Sequence, residues 1–190
     1  MNEAYQGDDN SFNILATDPS SHFVGIAILN INSNTMEINN IDTMLFNLDV
    51  VKHEVLNYDA VTHRIRLLEK LFARLVRAYN PMILSFERGF HNPRTPGSFA
   101  PLLMSTTTMV NTTLRFNPMI HIEAFSPGEV KNAMGQKGNC KKDVMKKACL
   151  ESPIINKYVD ANAITEHEID ACAVGLCALN HYKRVKITLL

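Results

Sequence analysis

The spacing of apolar residues predicts two paired strands near the start of the chain and a long helix after them. Segments 12–18 ("FNILATD") and 23–31 ("FVGIAILNI") are short apolar runs on either side of a turn, as in antiparallel β-strands. Segment 35–43 ("TMEINNIDT") predicts a third strand that would complete a meander. From 59 to 80 the spacing becomes helical, which predicts an amphipathic helix ending at Asn80-Pro81. Its apolar face consists of Ile65, Leu68, Leu71, Phe72, Leu75 and Val76.

Strands and helices alternate in the remainder of the chain. Segments 82–87 ("MILSFE") and 119–125 ("MIHIEAF") are predicted strands, and 99–116 is predicted to be a helix after a loop at 91–98. Ser126 and Glu129 form a capping-box pattern that opens a helix, which breaks at 135–139 and resumes over 140–150. Thr165 and Glu168 form a second capping box, which opens a helix over 165–182. This order predicts an α/β domain over 12–190, with a mixed sheet flanked by helices, after an acidic tail at 1–11 whose composition favours disorder.

Charge is distributed unevenly along the chain, although its net charge is zero. Residues 1–60 contain nine acidic residues and one basic residue, a net charge of −8. Residues 61–94 carry +5, and residues 126–150 carry +4 from six lysines and two acids. Such segregation presents a basic face to a nucleic acid, or it reflects solvated helix faces that are balanced elsewhere. Charge alone leaves both interpretations open.

Membrane and secretory functions are disfavoured by the sequence. The apolar runs are shorter than a membrane span, and the segment "MNEAYQGDDNS" is too polar and acidic for a secretory signal. The four cysteines (Cys140, Cys149, Cys172 and Cys177) form no CxxC pair and are predicted to be reduced thiols. We therefore expect a cytoplasmic protein, or a virus-encoded one that acts in the host cell, without a membrane partner.

Three carboxylates occupy positions that suit a metal site. Asp18 and Glu87 each end a predicted strand, so they would emerge at the same edge of the sheet if those strands are neighbours. Asp170 lies in the first turns of the last helix, and His167 lies on the same helix face because it is three residues earlier. Oxygen-rich sites with one imidazole suit Mg²⁺ or Mn²⁺. Two such ions are the usual device for phosphodiester hydrolysis.

Each of these residues also has a plain structural interpretation. Asp18 precedes Pro19 and could simply start a turn. Glu87 could pair with Arg88 or Arg64. His167 and Asp170 could be ordinary residues of a helix N-terminus, where acids such as Glu166 are common. Glu166 also competes with His167 for the metal role, because it lies four residues before Asp170.

Four motifs together resemble those of the RuvC-type Holliday junction resolvases, which belong to the RNase H-like superfamily. "ILATDPSSHFVGIAI" is similar to the first strand, acidic residue and hairpin of that family, and "ILSFERGF" to its strand ending in glutamate. "FSPGEVKNAMGQKGNCKKDVMKKAC" resembles its Val-Lys segment, glycine loop and lysine-bearing helix. "HEIDACAVGLCAL" resembles its last helix, where two metal-binding residues are three apart and the first is Asp or His. The resemblance spans about 13–182 and implies an RNase H-like sheet with an antiparallel meander and parallel strands.

The resemblance implies a metal-dependent endonuclease that resolves four-way DNA junctions by paired cuts in recombination and repair. Two Mg²⁺ or Mn²⁺ ions would be held by Asp18, Glu87, His167 and Asp170. Lys141, or its neighbour Lys142, would act near the scissile phosphate. The residues expected to contact DNA are Phe90, Arg88, Lys131, Lys137 and Lys142. A homodimer is implied by the two-fold symmetry of a junction, with the helix at about 98–115 in the dimer region.

Two departures from the family pattern bear on these expectations. Ser20 stands where the family usually has Gly, and Ser reaches positive φ less easily. The loop after Phe90 is a few residues longer and carries two prolines. Three alternatives remain at this point: a nuclease for other branched DNA or RNA, an ATPase of the actin and sugar-kinase type, and a junction-binding protein without catalysis. The ATPase would need a further phosphate-binding hairpin and usually a second domain.

Overall fold

Five β-strands form one mixed sheet in the computed structural model, which describes residues 10–20, 22–49, 59–89, 99–160 and 163–188. The sheet order in these ranges is β3-β2-β1-β4-β5. The two antiparallel pairs are β1–β2 and β2–β3, whereas β1–β4 and β4–β5 are parallel. This confirms the predicted meander and parallel strands. The strands are β1 Ser11–Pro19, β2 Phe23–Asn32, β3 Ile38–Asn47, β4 Ile83–Glu87 and β5 His121–Phe125.

Helices cover both faces of the sheet. One face carries α1 and α2, and the other carries α3 to α6, with α6 lying across β1 and β2. In the described part of the chain, no helix has both the length and the apolar character needed to span a membrane. The helices are α1 Ala60–Tyr79, α2 Phe99–Phe116, α3 Pro127–Ala133, α4 Lys142–Leu150, α5 Pro153–Tyr158 and α6 Glu166–Thr188.

The apolar run in β1 is continuous because both faces of this strand are buried. Ile14 and Ala16 belong to the core beneath α6, whereas Leu15 belongs to the core beneath α1 and α2. Side chains alternate between the two faces of a strand, so a strand that is covered on both sides loses the apolar–polar alternation. The position of Asp18 follows from the same alternation, because it lies on the Ile14 and Ala16 face, where α6 packs.

The predicted start and end of α1 and the predicted starts of α3 and α6 are confirmed by their caps. Asp59 caps α1, and Asn80 ends it in the left-handed conformation with φ of 39°. The capping box of Ser126 and Glu129 is formed at the start of α3. At the start of α6, the Glu168 side chain accepts a hydrogen bond from the backbone N–H of Thr165 at 3.0 Å.

Three elements differ from the sequence prediction, and the first is α6, which continues to Thr188 rather than ending at 182. The third strand runs over Ile38–Asn47 rather than 35–43. Most of its side chains are at least partly exposed, so its apolar pattern is weak and its ends are poorly marked in the sequence. Helix α5 was not predicted, because six residues are too few to show helical periodicity. Its Ile155 is nevertheless buried in the core beneath α6.

Candidate active site

Asp18 and Glu87 lie at the same edge of the sheet, as predicted. Strands β1 and β4 are parallel neighbours, with Thr17 aligned to Phe86, so their carboxyl ends coincide. The N-terminal turns of α6 reach this edge and add His167 and Asp170. All four side chains line one cavity of about 400 Å³. Residues from three distant parts of the chain therefore meet at a single site.

Asp18 and His167 are in direct contact in the lining of the cavity. Nδ1 of His167 lies 2.6 Å from Oδ2 of Asp18, and the two side chains are 33% and 21% exposed. An ionised carboxylate only accepts hydrogen bonds, so Nδ1 of the imidazole is the donor. Asp18 lies within β1, and this contact joins residues 149 positions apart. Asp18 therefore has a tertiary role beyond the start of a turn.

Lys131 brings a cation into the acidic cavity. It extends from α3 into the lining, which also contains Pro127, Val130 and Met145. Its Nζ donates a hydrogen bond of 2.8 Å to the carbonyl oxygen of Cys140. The Lys131 side chain thus connects the cavity to the segment that leads into α4. The family resemblance implied that Lys131 contacts DNA. Nothing in the sequence indicated that it would lie beside the carboxylates.

Ser20 fits the β1–β2 turn without a glycine conformation. Positive φ occurs in the described residues at Met36, Asn80 and Gly135. The Ser20 hydroxyl accepts a hydrogen bond of 3.0 Å from the Phe23 N–H and donates one of 2.6 Å to the Phe23 carbonyl. These side-chain hydrogen bonds close the turn with Ser at position 20. Ser20 also lines the cavity.

The other predicted residues have varied positions. Lys141 is the exposed N-cap residue of α4, and Lys137 is exposed in the turn before it. Nε of Arg88 donates a hydrogen bond of 2.8 Å to the Ala124 carbonyl on β5, while Arg88 stays exposed. Phe90, the loop that follows it and the side chain of Lys142 lie outside the described residues.

The chemistry of the cavity suits a hard divalent cation. Three carboxylates and one imidazole match the ligands that Mg²⁺ and Mn²⁺ prefer. Within the described ranges, however, no group of three or more His, Cys, Asp or Glu side chains could hold an ion as arranged. The residue types in the cavity therefore fit these ions, although the described residues do not form a ready-made ion site.

A larger cavity lies away from these carboxylates. It measures about 560 Å³ and lies between α3, α5 and α6 near the start of β3. Its lining is mainly apolar, with Leu176 and Leu179 beside Lys157 and Lys183, and it contains a single carboxylate, Glu37. The four residues that the sequence singled out line the smaller cavity, so we assign the candidate active site to it.

The four cysteines are free thiols, as predicted. Burial raises the pKa of Cys149 and of Cys172 to about 12, and that of Cys177 to about 11. Cys140 is partly exposed and lies next to Lys141. The buried thiols therefore belong to the core.

Comparison with solved structures shows the fold. Thermus thermophilus RuvC superposes with a TM-score of 0.70 at 14% identity, over 90% of this chain and 96% of that one. The chain has the fold of RuvC-type Holliday junction resolvases. The yeast mitochondrial resolvase Ydc2 gives a TM-score of 0.60 at 13% identity, over 93% of this chain and 84% of that one. The fowlpox virus resolvase, solved with Holliday junction DNA, gives 0.53 at 18% identity, over 90% and 98%. No family model and no curated protein matches the sequence.

Proposed function

We propose that this chain is a metal-dependent endonuclease that resolves four-way DNA junctions in recombination and repair. One observation carries the proposal: Asp18, Glu87, His167 and Asp170 come from β1, β4 and α6 and line one cavity. The fold in which they meet is that of RuvC-type resolvases. Both the Thermus RuvC and the fowlpox resolvase have been solved with a Holliday junction.

The four cavity residues would hold two Mg²⁺ or Mn²⁺ ions. Asp18 would contact both, Glu87 one of them, and the His167–Asp170 pair mainly the other. When bound, the ions would activate a water for attack on phosphorus and neutralise charge on the leaving oxygen.

Lysine side chains would stabilise the negative charge that the phosphate gains in the transition state. Lys131 is already in the cavity, and Lys141 is exposed at the start of α4. A positioned cation lowers the barrier because it interacts more strongly with the transition state than with the ground state. Lys131 and Lys141 are therefore separate candidates for this role. Lys131 donates a hydrogen bond to the carbonyl of Cys140, the residue directly before Lys141.

DNA binding would extend beyond the cavity. Arg88, Lys137 and Lys142 would contribute phosphate contacts, which supply much of the affinity for DNA. Phe90 would stack on bases opened at the crossover, as aromatic side chains do on unpaired nucleic acid. The proposed setting is the cytoplasm, or the host cell if a virus encodes the chain.

A homodimer would match the two-fold symmetry of a junction. Helix α2 exposes apolar side chains that support this proposal: Leu103 is 54% exposed, Met104 45% and Leu114 38%. Apolar side chains that are exposed on one helix suit a subunit interface. Two symmetric sites would then make the paired cuts. Sedimentation of the protein alone and with junction DNA tests this part of the proposal.

The decisive experiment is cleavage of a synthetic four-way junction with labelled strands, with both cut sites mapped. We expect two symmetric cuts that require Mg²⁺ or Mn²⁺ and disappear with a chelator. Linear duplex, single strand, a flap and an RNA–DNA hybrid serve as comparison substrates. Preferential cutting of another substrate would contradict junction resolution but would still show that the protein is a nuclease. Tight junction binding without cleavage in the presence of either metal would contradict the proposal that the protein is an enzyme.

A further inference from the structure

The backbone of His167 passes directly over Gly25. Gly25 lies on β2 and is aligned with Asp18 across the β1–β2 pair. A Cβ atom at position 25 would lie 2.0 Å from the carbonyl oxygen of His167 and 2.9 Å from the backbone nitrogen of Glu168. Real Cβ atoms essentially never come closer than 3.0 Å to another heavy atom. The first turn of α6 can therefore occupy this position only because residue 25 has no side chain.

Phe23 contacts the same turn through its ring. It lies two residues before Gly25, so it faces the same side of the sheet. Its ring is stacked on the imidazole of His167, with centroids 6.0 Å apart and planes inclined by 22°. Phe23 is 36% exposed, so this contact lies at the edge of the core. The His167 backbone thus rests on Gly25, and its imidazole rests on Phe23.

We propose that Gly25 and Phe23 are positioning residues that hold His167 against Asp18. Gly25 sets the distance between the α6 backbone and the sheet, and Phe23 sets the orientation of the imidazole. Their proposed effect on cleavage rests on the function proposed above. Their effect on the Asp18–His167 hydrogen bond does not, because that contact is present in the protein without any ligand.

The size of the expected displacement follows from the distances. Relieving a 2.0 Å contact to 3.0 Å requires a shift of the α6 backbone by about 1 Å. The atoms involved belong to the backbone, so rotation of a side chain gives no relief. A shift of this size that carries His167 away from Asp18 lengthens their 2.6 Å contact beyond hydrogen-bond distance. A misplacement of about 1 Å at a reacting site typically costs on the order of 100-fold in rate.

Gly175 provides a matched control on the same helix. A Cβ atom there would meet the Leu29 side chain at 2.5 Å and the Cβ of Ala16 at 3.1 Å. The closest atoms belong to the Leu29 side chain, so a side chain must shift there and no backbone atom blocks the added methyl group. Gly175 is also eight residues after His167, beyond two helical turns. Gly175→Ala therefore perturbs α6 packing on the sheet while leaving the start of the helix in place.

The experiment compares Gly25→Ala and Gly175→Ala in the full chain. The first readout is the NMR signal of the His167 Nδ1–H proton without metal, assigned by its loss in His167→Gln. We expect Gly25→Ala to lose this signal and Gly175→Ala to keep it. The second readout is junction cleavage, which should fall on the order of 100-fold in Gly25→Ala alone. Junction binding in Ca²⁺ should change less than about threefold in both, because phosphate contacts lie elsewhere.

A second pair of variants tests the ring contact and does not introduce a backbone clash. Phe23→Ala should weaken the His167 signal, and Phe23→Tyr should restore it because the stacked ring is retained. Retention of the wild-type signal in Gly25→Ala overturns the proposal. If Gly25→Ala does not fold, retention of the signal in Phe23→Ala overturns it instead. If the wild-type protein cuts no junction, the NMR results still decide the positioning proposal and only the proposed function fails.

Discussion

Replacing Asp18 by Asn separates the chemistry of the cavity from its packing. Asn has the same shape as Asp but no charge, so the cavity keeps its volume. The side chain can still form a hydrogen bond with Nδ1 of His167, now between two neutral groups. The proposed metal binding depends on the lost charge, whereas the fold depends mainly on the buried cores on both sides of the sheet.

The expected change in stability is small. A hydrogen bond to a charged group contributes about 1.5–3 kcal/mol and a neutral one about 1 kcal/mol, which gives a loss of about 1 kcal/mol. The Asp18 and His167 side chains are 21% and 33% exposed, so solvent screening reduces this loss. Removal of one of three clustered carboxylates also relieves repulsion. A change of about 1 kcal/mol corresponds to about 2–4 °C in Tm for a domain of this size.

The expected change in cleavage is much larger. If Asp18 holds metal as proposed, its loss should lower the single-turnover rate on a bound junction by on the order of 100-fold or more. Asp49→Asn is the control, because Asp49 also pairs with a histidine, His22, at 2.5 Å but is 42% exposed. We expect Asp49→Asn to cut at the wild-type rate. Near wild-type cleavage by Asp18→Asn, or equal losses in both variants, would refute the assignment of Asp18.

Further predictions concern the neighbouring residues. His167→Asp should retain metal-dependent cleavage, because a carboxylate suits Mg²⁺ at least as well as an imidazole; full activity of His167→Ala with an inactive Glu166→Ala would show that Glu166 is the ligand. Lys131→Ala should slow single-turnover cleavage more than Lys141→Ala if the cavity lysine acts on the phosphate, and the reverse order would favour the prediction from sequence. Thiol labelling of the native protein should modify Cys140 first, because burial raises the pKa of the other three thiols. Rapid modification of several thiols in the folded protein would contradict the described core.

Most helices and strands could be predicted from the sequence, because the patterns that mark them depend only on neighbouring residues. The helical spacing before Asn80 and the capping boxes at Ser126 and Thr165 act over three or four positions, and the structure contains these caps. The third strand was misplaced by a few residues because its side chains are mostly exposed. Helix α5 is held by a tertiary contact, in which the Tyr158 hydroxyl donates to the Ile38 carbonyl at 2.5 Å. No pattern within six residues predicts that contact.

The sequence alone determined which side chains end the strands and open the last helix. Asp18 and Glu87 follow apolar runs, and His167 and Asp170 share a helix face, so their residue types and spacing already indicated a metal site. The spatial meeting of these groups was decided by tertiary structure. It depends on the parallel pairing of β1 with β4 and on the packing of α6 across β1 and β2.

The contacts within the site were also decided by tertiary structure. The bond between Asp18 and His167 joins residues 149 positions apart, and Lys131 enters the cavity from α3. The close approach of His167 to Gly25 depends on where α6 crosses the sheet. Sequence periodicity reports the burial of a residue relative to its near neighbours. It carries no information on which distant backbone lies above that residue, and for that reason the close approach at Gly25 emerged only from the structure.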